Sequence, residues 1–211
     1  MKPKAVLTYC NQIGFEAVTT LSGARILLPH STVENGIPPS SAEKILKKVM
    51  AIPDLVLSLE TGNGIFSNVP IPEWEAAVFG GFPALPTKSI IYKLLCNGKN
   101  NIQPGNDMRR EVERALTADT YMTTAEGKLI QIMSTEATKW NGIKTMLESV
   151  NIEQNEAVYF GDDYDDIEPI KNCGTGVAVS NAIEEVLDAA DFITESNDMD
   201  GVARYIEKNL L

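Results

Sequence analysis

Tyr159-Phe160-Gly161-Asp162-Asp163-Tyr164-Asp165-Asp166 holds the densest cluster of reactive side chains in the sequence, with four aspartates inside five positions. Carboxylates this close repel one another unless a cation or a proton neutralises them. Hard divalent cations such as Mg2+ take oxygen ligands, commonly one or two carboxylates plus water and a phosphate oxygen. The stretch therefore suits a Mg2+ site serving phosphate chemistry. The plainer alternative is an acidic, solvated turn in an acidic protein, and the surrounding elements have to decide between them.

Ala157 to Phe160 is a short apolar run that reads as a buried strand, broken by Gly161. The aspartates then stand at the strand's carboxyl end, the edge where ligands bind in open α/β sheets. From Met133 onward helices and strands alternate. Trp140, Ile143, Met146, Leu147 and Val150 mark a helix, and Ile167 to Asn172 a short one ended near Gly174. Gly176 to Val179 is a strand, and Asn181-Ala182-Ile183-Glu184 resembles a capping box opening a helix through Val186 and Leu187. Asp191 to Thr194 is a further strand, and Val202, Ile206 and Leu210 line a final helix. Repeated β-α units predict a parallel sheet with helices on its faces.

The start of the chain reads as the second half of a βαβ unit. Val6, Leu7, Cys10 and Ile13 predict an amphipathic helix over 3–13, with Gly14 at its end, followed by a strand from Phe15 to Leu21. Between these pieces the character changes. Ser40-Ser41-Ala42-Glu43 is a capping box before an apolar-periodic run, and Asp107 is expected to cap a helix through Val112 to Leu116. Leu55 to Glu60 and Gly64 to Asn68 predict a hairpin around an Asn-Gly pair, and a second hairpin is expected around Glu126-Gly127. Ser89 to Cys96 is a strand. The expected architecture is α/β: a doubly wound, Rossmann-like core of residues 1–26 and 133–211, incomplete at its N-terminus, with an α+β module of residues 27–132 inserted in it.

The 211 residues are 44% hydrophobic and 22% charged, ordinary for a globular chain, and carry a net charge of −11. That charge argues against nucleic acid and anionic membrane as partners, since both need a basic footprint. No apolar run approaches the length of a membrane span. Cys10, Cys96 and Cys173 are widely spaced and odd in number, which suggests neither a disulfide framework nor a cysteine metal site, and the cytoplasm is the expected compartment. His30 is the only histidine and lies in a polar, loop-like stretch, so catalysis built on histidine is not expected.

Lys139 at a helix start, Gly161-Asp162-x-x-Asp165-Asp166, Gly176-Val177-Ala178-Val179-Ser180-Asn181-Ala182, Ala190-Asp191 and Asp200-Gly201-Val202, in this order, resemble the C-terminal half of the haloacid dehalogenase superfamily. The subgroup is the Cof-type phosphatases, which insert an α+β cap, and Leu21-Ser22-Gly23-Ala24-Arg25-Ile26 resembles the segment leading into it. The resemblance implies Mg2+-dependent hydrolysis of a small phosphorylated metabolite, such as a sugar phosphate, through an aspartyl-phosphate. It assigns Lys139 the role of the catalytic lysine. It assigns the metal to Asp162 and Asp166, the first as ligand and the second as supporting carboxylate. Asp165, Ser22 and Asn181 fall at substrate-binding positions, although Asp165 and Ser22 both stand where asparagine is usual. Trp74 and Phe82 are expected to pack the cap. Glu60 lacks a second carboxylate two positions on and is not expected to be the nucleophile.

The family's nucleophile motif, Asp-x-Asp-Gly-[Thr/Val], does not occur ahead of the inserted module, and neither does its second motif. The expectation is a phosphatase chain inactive by itself through N-terminal shortening. The alternatives are a non-catalytic protein that binds a phosphorylated ligand or a partner, completion by a separate N-terminal segment or in a dimer, and a purely structural module.

Overall fold

The computed structural model describes residues 14–71, 76–79, 89–99, 104–125 and 129–211. The expected helix over 3–13, Trp74, Phe82 and the Glu126-Gly127 hairpin tip lie outside them. In chain order the strands are β1 (Val18–Thr20), β2 (Arg25–Leu27), β3 (Thr32–Glu34), β4 (Leu55–Thr61), β5 (Gly64–Ser67), β6 (Ala77–Val78), β7 (Ile91–Gly98), β8 (Thr120–Ala125), β9 (Leu129–Ser134), β10 (Val158–Gly161), β11 (Thr175–Val179) and β12 (Phe192–Thr194). Two compact units emerge, Met1–Val33 with Thr138–Leu211, and Glu34–Ala137. The sequence placed the divisions after residues 26 and 132. Those positions lie within β2, which ends at Leu27, and within β9, which continues to Ser134.

In the first unit, β10, β11 and β12 form a parallel sheet in that order, with Gly161 opposite Ala178 and Val177 opposite Phe192. Neighbouring strand residues point to opposite faces. Tyr159 packs with Ile170 and Val186 from the helices Ile167–Asn172 and Glu184–Ala189, whereas the ring of Phe160 meets Tyr205 of the helix Gly201–Asn209 edge-on at 5.5 Å. Helices thus cover both faces, which is the doubly wound arrangement. The same unit holds a small sheet ordered β1-β2-β3, with β1 and β2 antiparallel.

The second unit is a six-stranded sheet ordered β6-β5-β4-β7-β9-β8. β4 and β5 form the expected hairpin. One face carries Leu55, Leu57, Leu59, Leu94, Cys96, Ile130 and Ile132, covered by Ile45, Leu46 and Val49 of the helix Pro39–Val49 and Val112 of the helix Asn106–Glu113. Burying each Leu or Ile contributes roughly 2 kcal/mol, so this layer dominates the unit's stability. The helix starts differ from the expected caps. Pro39 opens its helix, suited to a first turn by its fixed φ, and the Ser41 hydroxyl goes instead to the Asp119 carboxylate at 2.8 Å. Gly105, not Asp107, precedes the second helix, and Asp107 lies in its first turn. The two ends of the unit meet: the Asn35 side-chain amide donates to the Glu136 carbonyl at 3.4 Å.

Candidate active site

The site is built where β10 ends. Gly161 is followed by a tight 3-10 turn, Tyr164–Asp166, that folds Asp166 back under the strand end. A Cβ on residue 161 would lie 2.5 Å from the Asp166 Cβ, so only glycine lets this carboxylate tuck in. Asp166 is 2% exposed. A buried charge survives only when paired and hydrogen-bonded. Its Oδ1 accepts from the Lys139 ammonium and the Tyr159 hydroxyl, each at 2.6 Å, and its Oδ2 from the backbone N–H groups of Asp162 and Asp163, each at 3.1 Å. A carboxylate offers about four lone-pair positions, so Asp166 is saturated. It is placed as a support that fixes the turn and the lysine, with no lone pair left for a metal.

Lys139 is the first residue of the helix Lys139–Val150, whose N-cap Thr138 accepts from the Asn141 N–H at 3.0 Å. A cation there opposes the helix dipole at a cost of about 0.3–1 kcal/mol. The charge-assisted bond to Asp166 is worth about 1.5–3 kcal/mol, so Asp166 wins and the ammonium stays. The lysine side chain is 32% exposed, leaving donors open to solvent or ligand.

Asp162 is exposed at the same strand end. Partial burial, then the negative charge of Asp166, raise its pKa from the ordinary value, against the pull of Lys139. A carboxylate in that state favours a neighbouring cation. Asp162 is thus the carboxylate at this strand end that could hold a hard cation such as Mg2+, which takes oxygen ligands. Among the described residues no group of three or more metal-ligating side chains converges.

Burial works to raise the Asp166 pKa, but the bonds from Lys139, Tyr159 and the Asp162 N–H outweigh it and hold it below the ordinary value. A depressed carboxylate stabilises the fold above its unfolded pKa of about 3.9 and loses that contribution as pH falls through the folded value. The melting temperature of the wild type should therefore drop as pH falls below about 4, and Asp166→Asn should flatten this acid limb. Parallel acid limbs in thermal melts of the two proteins would contradict the assignment.

The other expected residues gather around this turn to differing degrees. Ser22 sits in the 3-10 turn Leu21–Gly23 with φ 56 and ψ 38, and Leu21 also has positive φ. Each such residue costs of order 1–3 kcal/mol. The turn is held by close packing on the lysine helix, where a Cβ at Gly23 would lie 1.9 Å from the Thr138 carbonyl oxygen and one at Gly142 2.6 Å from Thr19 Oγ1. Ser22 is thus brought beside the start of that helix. Asp165 lies exposed within the Tyr164–Asp166 turn. Asn181 is not a helix cap, since Ile183 precedes the helix Glu184–Ala189; its side-chain oxygen accepts from the Asn197 N–H at 3.1 Å. Its loop is tied to the site by the Ile183 N–H, which donates to the Asp162 carbonyl at 3.1 Å.

His30 lies in an exposed bend between β2 and β3. Glu60 belongs to the second unit, opposite Lys93 in the β4–β7 register, and burial raises its pKa. Burial pushes the Cys96 thiol up to about 12 and raises that of Cys173, so neither is a reactive thiolate. Asp198-Met199-Asp200-Gly201 has the spelling of a nucleophile motif, but it forms the turn before the last helix, where Asp200 takes φ 57. Tyr159 was not foreseen, because an aromatic residue in a buried strand reads as packing.

A family model described as haloacid dehalogenase-like hydrolase matches residues 2–206. The chain belongs to the haloacid dehalogenase-like hydrolases. The Cof-type assignment read from the motifs stands with it. Among curated relatives, YxeH of Bacillus subtilis (strain 168) is 42% identical over 81 residues, 38% of this chain and 30% of that protein. The 5-amino-6-(5-phospho-D-ribitylamino)uracil phosphatase YwtE of the same organism is 28% identical over 146 residues, 69% of this chain and 47% of that protein. The structure of the HAD subclass IIB sugar phosphatase BT4131 superposes with a TM-score of 0.76 at 16% identity, covering 96% of this chain and 79% of that one, and shows the same fold. The chain spans between about a third and a half of the length of these curated relatives. Among the described residues no helix is long and apolar enough to cross a membrane.

Proposed function

We propose that this haloacid dehalogenase-like chain carries the lysine- and metal-bearing half of a phosphatase site acting on a small phosphomonoester such as a sugar phosphate. The observation that carries the reading is the Lys139 ammonium, fixed at 2.6 Å by Asp166 beside the cation-seeking Asp162. Lys139 binds the non-bridging phosphoryl oxygens and offsets the charge that grows on them in the transition state. Asp166 keeps that ammonium charged and oriented, and through the N–H groups of Asp162 and Asp163 it fixes the turn that aims Asp162. Mg2+, when bound at Asp162, supplies further neutralisation of the phosphoryl oxygens. Ser22 and Asn181 border the space the substrate would occupy.

The nucleophilic carboxylate is not supplied by a motif ahead of the inserted module, and this favours a second reading of the chain by itself: a protein that binds phosphate without turning it over. The test is p-nitrophenyl phosphate hydrolysis with Mg2+ and with chelator. No turnover is expected from these residues alone. Turnover is expected once a strand carrying Asp-x-Asp is joined upstream of Met1, and it should vanish in Asp162→Ala. Near-normal hydrolysis by that variant would remove Asp162 from the site.

A further inference from the structure

We infer that Tyr159 is a positioning residue for the catalytic lysine, acting through the shared oxygen of Asp166; this rests on the phosphatase reading above. The Tyr159 hydroxyl and the Lys139 ammonium meet on one atom, Asp166 Oδ1, each at 2.6 Å. Tyr159 comes from β10 and Lys139 from the start of a helix whose sequence lies well before it, and this carboxylate joins the two. The phenol is held in the Ile170–Val186 cluster and has no comparable freedom to leave. Burial and the neighbouring Asp166 keep it protonated, so it is a permanent donor.

Two donors on one oxygen divide its negative charge. With the hydroxyl in place, Oδ1 is a weaker partner for Lys139 than an unshared carboxylate oxygen, and the ammonium keeps more of its field and donors for an incoming anion. Oδ2 cannot take over, because it is engaged by the Asp162 and Asp163 N–H groups. Removing the hydroxyl leaves Oδ1 to the lysine alone. The ion pair then tightens and competes with phosphate for the same ammonium. Tyr159→Phe should therefore weaken anion binding without touching any atom that contacts the anion.

The experiment is a double-mutant cycle on the whole chain with Tyr159→Phe and Lys139→Gln, the latter keeping an N–H donor for Asp166. The readouts are the Kd for inorganic phosphate by calorimetry and the unfolding midpoint in denaturant. Tyr159→Phe should weaken phosphate roughly three- to tenfold in the wild-type background and have no effect in Lys139→Gln, since residues in one hydrogen-bond network couple. An equal loss in both backgrounds would mean generalised loosening and would overturn the proposal. If the wild type binds no phosphate, the phosphatase reading fails instead. The cycle in unfolding midpoints then still decides: non-additivity keeps the Tyr159–Lys139 link, and additivity removes it.

Discussion

Lys139→Ala is expected to lower the unfolding free energy by about 3 kcal/mol, the scale for stripping one partner from a buried ion pair, and to abolish phosphoryl chemistry in any active form. The stability loss belongs to Asp166, not to the lysine. Its carboxylate is almost fully buried, and loss of the ammonium leaves it with the Tyr159 hydroxyl and two backbone N–H groups. Adding Asp166→Asn to Lys139→Ala should recover part of the stability, because the uncompensated charge is gone, while leaving activity at zero. Urea melts of the two variants measure this. A single Lys139→Ala variant as stable as wild type would show that the pair is solvated and contributes little, as exposed pairs do.

Gly23→Ala is expected to cost more than about 4 kcal/mol, the range reserved for severe lesions, and to unfold the first unit. Residue 23 has φ +91, and a Cβ there would meet backbone, the Thr138 carbonyl oxygen at 1.9 Å, which cannot swing aside as a side chain can. The comparison that isolates the cause is Gly14→Ala. Gly14 also has positive φ, +80, but nothing lies within 4 Å of its Cβ position, so only the left-handed conformational cost of about 1–2 kcal/mol applies. Hydrogen exchange resolves the location: amides of β10 and β11 should lose protection in Gly23→Ala while those of β4 and β7 keep theirs. Uniform loss in both units, or equal effects of the two substitutions, would contradict the packing argument.

What could be read from the chain was set by how local each signal is. The strand before Gly161, the helix Ile167–Asn172 and the hairpin of β4 and β5 depend on apolar period and turn residues, which neighbouring positions supply. Caps fared worse, because a polar side chain near a helix start has distant competitors. Ser41 is taken by Asp119, and Asn181 by the Asn197 N–H, neither of which its local sequence announces. Lys139 and Asp166 were legible from the order of motifs, yet their contact was not, being a bond across 27 positions. Tyr159 was invisible for the same reason, since its hydroxyl has meaning only once the turn beyond Gly161 folds back.

The meeting of Asn35 and Glu136 at the neck of the inserted unit has a bearing on how the chain finds its fold. The first unit is assembled from two stretches separated by about a hundred residues, and closing such a loop in a disordered chain costs about 4 kcal/mol of entropy. Once the insertion has folded with its ends side by side, the same closure spans only the few residues of the neck. The inserted sheet can thereby work as an entropic clamp: when it folds first, the association of Ser22 and Gly23 with the lysine helix becomes nearly local, and a lesion deep in its apolar layer would then delay that association without touching it.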